Sequence, residues 1–310
     1  MADMLSYTLV RFSSLSHSQT TTTEPSPSED WTDDEIRERM KTAPPLPDAI
    51  WNFHDIVPPP GNYTGPVITG YSIVVLCQDT VVKRGISYYL DPEVRALDFV
   101  RRNTSIPVPK IRRYITSETS AYILLEKIEG TRLDKLWPSY SPLQRFLTAW
   151  ILRGYILELR EASSIYHRCH VPGPMADVPR YCHGPHFLFG DRNRGPFEHS
   201  RQLLDYFGTR SWGSGPRFDD SYNSQPLVLT HNDLSMRNIV VGHDGKLWLV
   251  DWGWSGFYPP FCEYIATKSA AYNDKAPKSW WKYIPLITGA WPKEEMIAAG
   301  PAFVHIGPKN

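Results

Sequence analysis

Cysteine is scarce in this sequence: Cys77, Cys169, Cys182 and Cys262 are the only four in 310 residues, too few for a disulfide framework in a chain of this length. Net charge is absent too, with 33 basic and 33 acidic residues. No block of lysine and arginine marks a nucleic-acid footprint. No apolar run is long enough to span a bilayer, and the opening MADMLSYTLVRFSS has neither the basic start nor the long apolar core of a secretory signal. The expectation is a cytoplasmic protein with no nucleic-acid or membrane partner, and nothing implies an obligate protein partner. What is present suits a folded chain: hydrophobic residues make up 41% and charged residues 21%, which permits a large core in one or two domains or lobes.

The chain starts with a serine- and threonine-rich stretch ending in Glu24-Pro-Ser-Pro-Ser28. Such a composition buries too little apolar surface to stay ordered alone, so residues 1–30 are expected to be mobile. Thr32 and Glu35 then form a capping box for a short helix from Asp33 to Lys41, stopped by Ala43-Pro-Pro-Leu-Pro47. From Ser141 to Ile165 the apolar spacing predicts one long helix, with Leu143, Phe146, Leu147, Trp150, Ile151, Tyr155, Ile156 and Leu159 toward a core.

The most informative stretch is Thr230 to Trp254, THNDLSMRNIVVGHDGKLWLVDWGW. Ile239-Val-Val241 reads as a strand, Gly242-His-Asp-Gly245 as a turn and Lys246 to Val250 as a second strand, together a β-hairpin. Asn238 enters this hairpin and Asp251 leaves it, so an amide oxygen and a carboxylate lie side by side. Both are hard oxygen ligands suited to Mg²⁺. Asp233, five residues before Asn238, is placed to take a proton from a hydroxyl attacking a phosphate. In an unrelated β protein the same carboxylates would be only turn and hairpin-end residues.

The constellation His231, Asp233, Asn238, Asp251 resembles the catalytic and metal-binding loops of the aminoglycoside phosphotransferase and choline kinase-like superfamily, in the form common among fungal members. The resemblance implies a protein-kinase-like α+β fold in two lobes, a small antiparallel sheet lobe and a larger, mainly helical one, with ATP and Mg²⁺ between them. It makes Asp233 the catalytic base and assigns the metal to Asn238 and Asp251, with Asp251-Trp252-Gly253 standing where protein kinases have Asp-Phe-Gly. His231 becomes a hydrogen-bonding residue of the loop. Glu263 resembles a structural acid of the family and is expected to pair with Arg237.

Such a site needs a nucleotide-binding lobe upstream. Ile73 to Cys77, the turn Gln78-Asp79-Thr80 and Val81-Val-Lys83 read as a hairpin whose second strand ends on a lysine. Asp91 with Pro92 reads as the start of a helix with Val94, Leu97 and Val100 on its apolar face and Glu93 in its first turn. By resemblance, Glu93 pairs with Lys83 and aims it at the phosphates. Read from position alone, Glu93 is an acid favoured by the helix dipole. Ala121 to Glu126 is a further strand, and a helix-like run starts at Thr131. Family likeness makes Glu126, Lys127 and Ile128 the hinge that bonds the adenine edge and places the lobes at 31–128 and 129–310. The glycine-rich loop is reduced to Gly70-Tyr71-Ser72, leaving Gly70 and Ser72 as the phosphate contacts and few free backbone amides.

The implied reaction is transfer of the γ-phosphoryl group of ATP to the hydroxyl of a small molecule. From Arg180 onward the chain has 14 basic and 12 acidic residues, which does not suit an aminoglycoside polycation. The aromatic-rich segment after Asp251 predicts rings lining the acceptor pocket. An apolar or aromatic acceptor with one hydroxyl suits it, and a quaternary ammonium is possible as well. A catalytically weak nucleotide-binding protein is one alternative. A protein kinase is another, opposed by the lack of an Ala-Pro-Glu segment. His167, Cys169, His170, Cys182, His183 and His186 have zinc-ligand chemistry, but their spacing fits no regular zinc module, and adjacent Cys182 and His183 are poorly placed as nucleophile and base.

Overall fold

The structure, a computed structural model, describes residues 26–47, 72–117, 120–166, 170–190, 192–210, 217–300 and 307. It has the expected α+β architecture of a small antiparallel sheet beside a larger, mainly helical part. Strands β1 (Ser72–Cys77), β2 (Thr80–Gly85), β3 (Ile111–Thr116) and β4 (Ala121–Glu126) form the small sheet in the order β1-β2-β4-β3, all antiparallel. Side chains alternate across it. Val82, Leu124 and Ile115 face outward and are covered by Ile36 of α1 (Asp33–Met40), which carries the predicted Thr32–Glu35 capping box. Val81, Ile123 and Leu125 face inward and join Leu90, Leu97 and Val100 of α2 (Ser87–Asn103) in the main core.

Helix α2 departs from expectation at its start. It begins at Ser87, so Pro92 lies in the interior and Glu93 is well past the first turn. An interior proline leaves the carbonyl four residues back without its amide partner. Here that carbonyl belongs to Tyr88, and Arg180 fills the gap: one guanidinium nitrogen donates to Tyr88 O at 2.6 Å and another to Asp91 at 2.9 Å. Part of the stretch expected to be mobile is packed into the fold instead. Ser26 and Ser28 are buried, and their hydroxyls bond each other and Thr80. Residues 1–25 lie outside the described part.

After β5 (Gly130–Arg132), which replaces the start of the expected helix at Thr131, the chain reaches α3 (Pro142–Ala162), capped by Ser141 and Gln144. Its period is as predicted and Ile156 and Leu159 are buried as expected, but the first half of the expected face is not buried. Thr148, Ala149, Leu152, Ile156 and Leu159 are buried, whereas Leu143, Phe146, Trp150 and Ile151 are exposed, Trp150 by 56%. The helix packs on β6 (Val228–Thr230) and on the short helix Ile284–Thr288, with Thr148, Ala149, Leu152, Ile156 and Leu159 buried and the stripe of Leu143, Phe146, Trp150 and Ile151 left outside. Ser163 then accepts the amide of Leu229 at 2.7 Å, tying the end of α3 to the strand that leads into the catalytic loop.

The predicted hairpin is β7 (Ile239–Gly242) and β8 (Leu247–Leu249), with β5 added on the free side of β7. Gly245 takes a positive φ of 78° in its turn. Helix α4 (Ser200–Thr209) lies between α3 and β6 in the chain; strand β9 (Gly256–Tyr258) pairs with β6, and α5 (Phe261–Asn273) follows it. Strands β6 to β9 and α5 frame the loops at 231–238 and 250–255.

Candidate active site

Alternation along β2 sends Lys83 to the same face as Val81, toward α2. There its ammonium lies 2.8 Å from Glu93 and 2.7 Å from Asp251. Burial pushes Lys83 toward neutrality, but Asp251 and Glu93 outweigh it and raise its pKa above that of an ordinary lysine. Burial likewise works to raise Asp251, and Lys83 overcomes it and holds the carboxylate low. The Asp251 side chain remains 43% exposed. A Cβ at Gly253 would lie 3.4 Å from both Lys83 Nζ and Glu93 Oε2, so a longer side chain there runs into the pair.

The loop entering from β6 is pinned at both ends. Glu263, in the first turn of α5, accepts the amides of His231 at 2.6 Å and Asn232 at 3.2 Å. Burial pushes this carboxyl up to about 7 in spite of the two donors. His231 Nδ1 accepts the amide of Asp233 at 3.2 Å, so Nε2 carries the hydrogen and donates to Val250 O at 3.1 Å. Burial drives this imidazole down to about 4, which keeps it neutral. It therefore bolts the loop of Asp233 to the strand end before Asp251, over the ring of Trp252 at 4.6 Å. Asn232 and Asp251 both take left-handed backbone, at φ 60° and 63°, a strained state for non-glycine residues of the kind that clusters at functional sites.

Asp233 is 6% exposed. Arg237 Nη2 lies 2.8 Å from each of its oxygens, and Asn238 Nδ2 lies 2.8 Å from one of them. Burial raises the carboxyl to about 7, with the positive charge of Arg237 opposing the rise. Arg237 Nη1 grips Asp274 at the end of α5. One guanidinium thus joins two carboxylates, and the expected pairing of Arg237 with Glu263 is replaced: Glu263 is taken up by backbone amides instead. The clamp follows from the turn Met236–Asn238, which brings Arg237 back over Asp233 four residues earlier. The sequence showed the spacing but did not indicate that Asp274 closes the other side.

The donor set fits a hard divalent cation. Asn238 sits one residue before the paired part of β7, and its backbone carbonyl accepts the amide of Val250, placing it beside Asp251. Its Nδ2 is committed to Asp233, which leaves the amide oxygen as a ligand, and Asp251 uses only Oδ1 for Lys83. At the expected hinge, the amides of Glu126 and Lys127 already donate to Lys110 O and Asp79 O, so among the described residues these two amides are committed within the sheet lobe. Glu126 further accepts the Lys110 amide, and Lys127 pairs with Glu129. Gly70 and the side chain of Ser72 lie outside the described residues.

Among the described residues no group of three or more His, Cys, Asp and Glu is arranged to hold a metal; His167 and Cys169 lie outside them. Burial lifts the Cys182 thiol to about 12 and lowers His183 to about 4, so this pair is a neutral thiol beside a neutral imidazole. Among the described residues no helix is long and apolar enough to cross a membrane. Most of the aromatics after Asp251 are core: Trp252, Phe257, Tyr258 and Phe261 are all buried.

None of the curated proteins compared with the chain matches it. Solved structures with a distant likeness include a putative fructosamine-3-kinase from Haemophilus somnus 129PT, 14% identical over 74% of this chain and 77% of that one, with a TM-score of 0.46. Another is aminoglycoside phosphotransferase APH(3'')-Id from Streptomyces rimosus ATCC10970 with ADP and streptomycin, 16% identical over 78% and 92%, TM-score 0.46. A third is the streptomycin-ATP-APH(2")-IIa ternary complex, 14% identical over 87% and 95%, TM-score 0.40. The model of the phosphotransferase enzyme family matches residues 87–278, well over half of the chain. That match begins at α2 and runs through the loops of Asp233 and Asp251, and by it the chain belongs to the phosphotransferase enzyme family.

Proposed function

We propose that this protein transfers the γ-phosphoryl group of ATP to a hydroxyl of a small molecule. The observation that carries this reading is the convergence of Lys83, Glu93 and Asp251 at one point, with the Asp233 loop bolted to it through His231. Lys83, held charged and aimed by Glu93, would position the phosphates. Asp233 would orient the acceptor hydroxyl and take its proton; a pKa of about 7 suits a base working near neutrality. As the new O–P bond forms, the bond from the γ-phosphorus to its bridging oxygen breaks and ADP leaves with the electron pair. Asn238 and Asp251 would hold Mg²⁺, which when bound supplies positive charge beside the phosphates. The hydroxyl nucleophile itself comes from the acceptor.

ADP release dependent on a metabolite panel, measured for the wild type and Asp251→Ala, tests the reading. Turnover should vanish in the variant; undiminished turnover would remove Asp251 from the site. A second reading, nucleotide binding with little turnover, is favoured by one observation: both oxygens of Asp233 are engaged by Arg237. Mg²⁺-dependent ATP binding without ATP consumption across the panel would select it.

A further inference from the structure

We infer that the exposed face of α3 is a homodimer interface, on which two copies of this chain pair their α3 helices antiparallel about a two-fold axis at Trp150. Eight large hydrophobic residues are exposed among the described residues, and five of them lie on this one helix: Leu143, Phe146, Trp150, Ile151 and Leu157, each 43 to 56% exposed. Their spacing makes a single helical stripe. At roughly 200 Å² for a whole large apolar residue, the stripe presents about 500 Å² of apolar surface. A homodimer interface of standard size buries about 800 Å² per partner, about 65% of it apolar, so the stripe supplies the apolar core that such an interface needs.

What points to a second copy is the one gap in the stripe. Between Trp150 and Leu157 it continues through Gly154, and a glycine inside a helix destabilises it relative to alanine. The fold around it does not call for a glycine, since a Cβ at Gly154 would meet no atom within 4 Å. A closely approaching helix does call for one. With Trp150 on the axis, positions equally far before and after it face each other, so Leu143 meets Leu157 of the second copy. Phe146, whose ring stacks on Trp150 at 6.1 Å, then meets the gap at Gly154 of the second copy. Large faces small at both symmetry-related contacts, as ridges fit grooves in packed helices. A parallel pair would instead set ring on ring and gap on gap. Charge agrees with the antiparallel choice: exposed Glu161, at the far end of the stripe, comes to the start of α3 of the second copy, just ahead of the Ser141 cap, where the helix dipole favours a carboxylate. The face is thus complementary to itself, which a two-fold contact requires.

Sedimentation velocity of the full-length protein from about 1 to about 100 µM should show a reversible monomer–dimer equilibrium. Trp150→Glu sets two carboxylates together on the axis and should leave a folded monomer, checked by an unchanged circular dichroism spectrum. Gly154→Leu adds apolar surface but fills the gap that receives Phe146, so it should weaken dimerisation by about tenfold or more. A merely sticky stripe would associate more tightly in that variant. Leu143→Cys mixed with Leu157→Cys should cross-link through a short bismaleimide above the wild-type background, and Leu143→Cys alone should not. A wild type that stays monomeric throughout, or either the Trp150→Glu or the Gly154→Leu protein dimerising as tightly as the wild type, overturns the inference. Cross-linking of Leu143→Cys alone at the yield of the mixture overturns it as well, in favour of a parallel pair. Dimerisation only after removal of residues 1–25 would overturn it by giving the stripe to the start of the chain, and binding of a monomeric wild type to vesicles of phosphatidylcholine and phosphatidylserine would do so by giving it to a membrane.

Discussion

Arg237 is where the electrostatics of the site are most open to measurement. Its guanidinium lies 2.8 Å from both oxygens of Asp233, and both side chains are only 8% exposed. With charge centres about 4 Å apart and an effective dielectric of about 20, the attraction is worth about 4 kcal/mol. At 1.36 kcal/mol per pH unit, removing it should move the protonation midpoint of Asp233 upward by about three pH units. The wild type should show kcat/KM rising with pH through a midpoint near 7, the value to which burial lifts Asp233. Arg237→Met should then lose on the order of 100-fold in kcat/KM at pH 7.5 and regain activity as the pH is raised toward ~10. Asp274→Asn supplies the opposite sign, because that carboxylate raises the pKa of Asp233; its midpoint should move below that of the wild type. The assay is initial-rate ADP release across pH 5.5–10 with a saturating nucleotide, a range to be corrected for unfolding by parallel fluorescence (~0.5 pH steps suffice to place such a midpoint). An Arg237→Met profile that superimposes on the wild type would show that the proton of Asp233 does not govern turnover.

Other parts of the site give predictions of their own. Lys83→Met strands the 2%-exposed Glu93 without its cation and should cost about 3–5 kcal/mol in chemical denaturation; adding Glu93→Gln should restore much of the stability and none of the activity. Arg180→Ala frees the Tyr88 carbonyl left unmatched by Pro92 and should cost about 1–3 kcal/mol. Pro92→Ala returns the missing amide, so the double variant should lose less than the single losses added together, a coupling read by a double-mutant cycle. Asp233 and Glu263, both lifted to about 7 by burial, bind protons more tightly folded than unfolded. Their contribution to stability is complete below the ordinary carboxylate range and is lost as pH rises through about 7. Below about pH 6.5 the buried His183 and His231, both lowered to about 4, gain protons on unfolding and offset the two acids, so the denaturation midpoint should fall mainly between about pH 6.5 and 8, less steeply in Glu263→Gln; a midpoint rising over that window would contradict the burial of these two acids.

Much of this was legible in the sequence because local rules and chemistry agreed. The hairpin from Ile239 to Val250 is specified by two short apolar runs and a glycine turn, and it fixes the neighbours Asn238 and Asp251 without tertiary information. The Thr32–Glu35 capping box and the strand Ala121–Glu126 were readable for the same reason. Where the reading failed, a distant partner had overridden a local rule. Pro92 looks like a helix start until Arg180, 88 residues later (180 − 92), supplies the lost hydrogen bond. The stripe Leu143, Phe146, Trp150 and Ile151 of α3 looks like part of a core face but is left exposed, while Thr148, Ala149 and Leu152 are buried where the helix packs on β6 and the short helix at 284–288. Arg237 was matched to the wrong acid because charge types along a sequence do not reveal that Glu263 is consumed by backbone amides.

The central claim is that this site moves a phosphoryl group to a small-molecule hydroxyl, and isotope transfer tests it most directly. Full-length protein incubated with γ-labelled ATP, Mg²⁺ and a metabolite extract, followed by untargeted mass spectrometry, should yield a labelled phosphate ester. That product should disappear in Asp233→Asn and Asp251→Ala, both prepared as folded protein. No labelled small molecule from the wild type, or the same product at undiminished yield from either variant, would contradict the account.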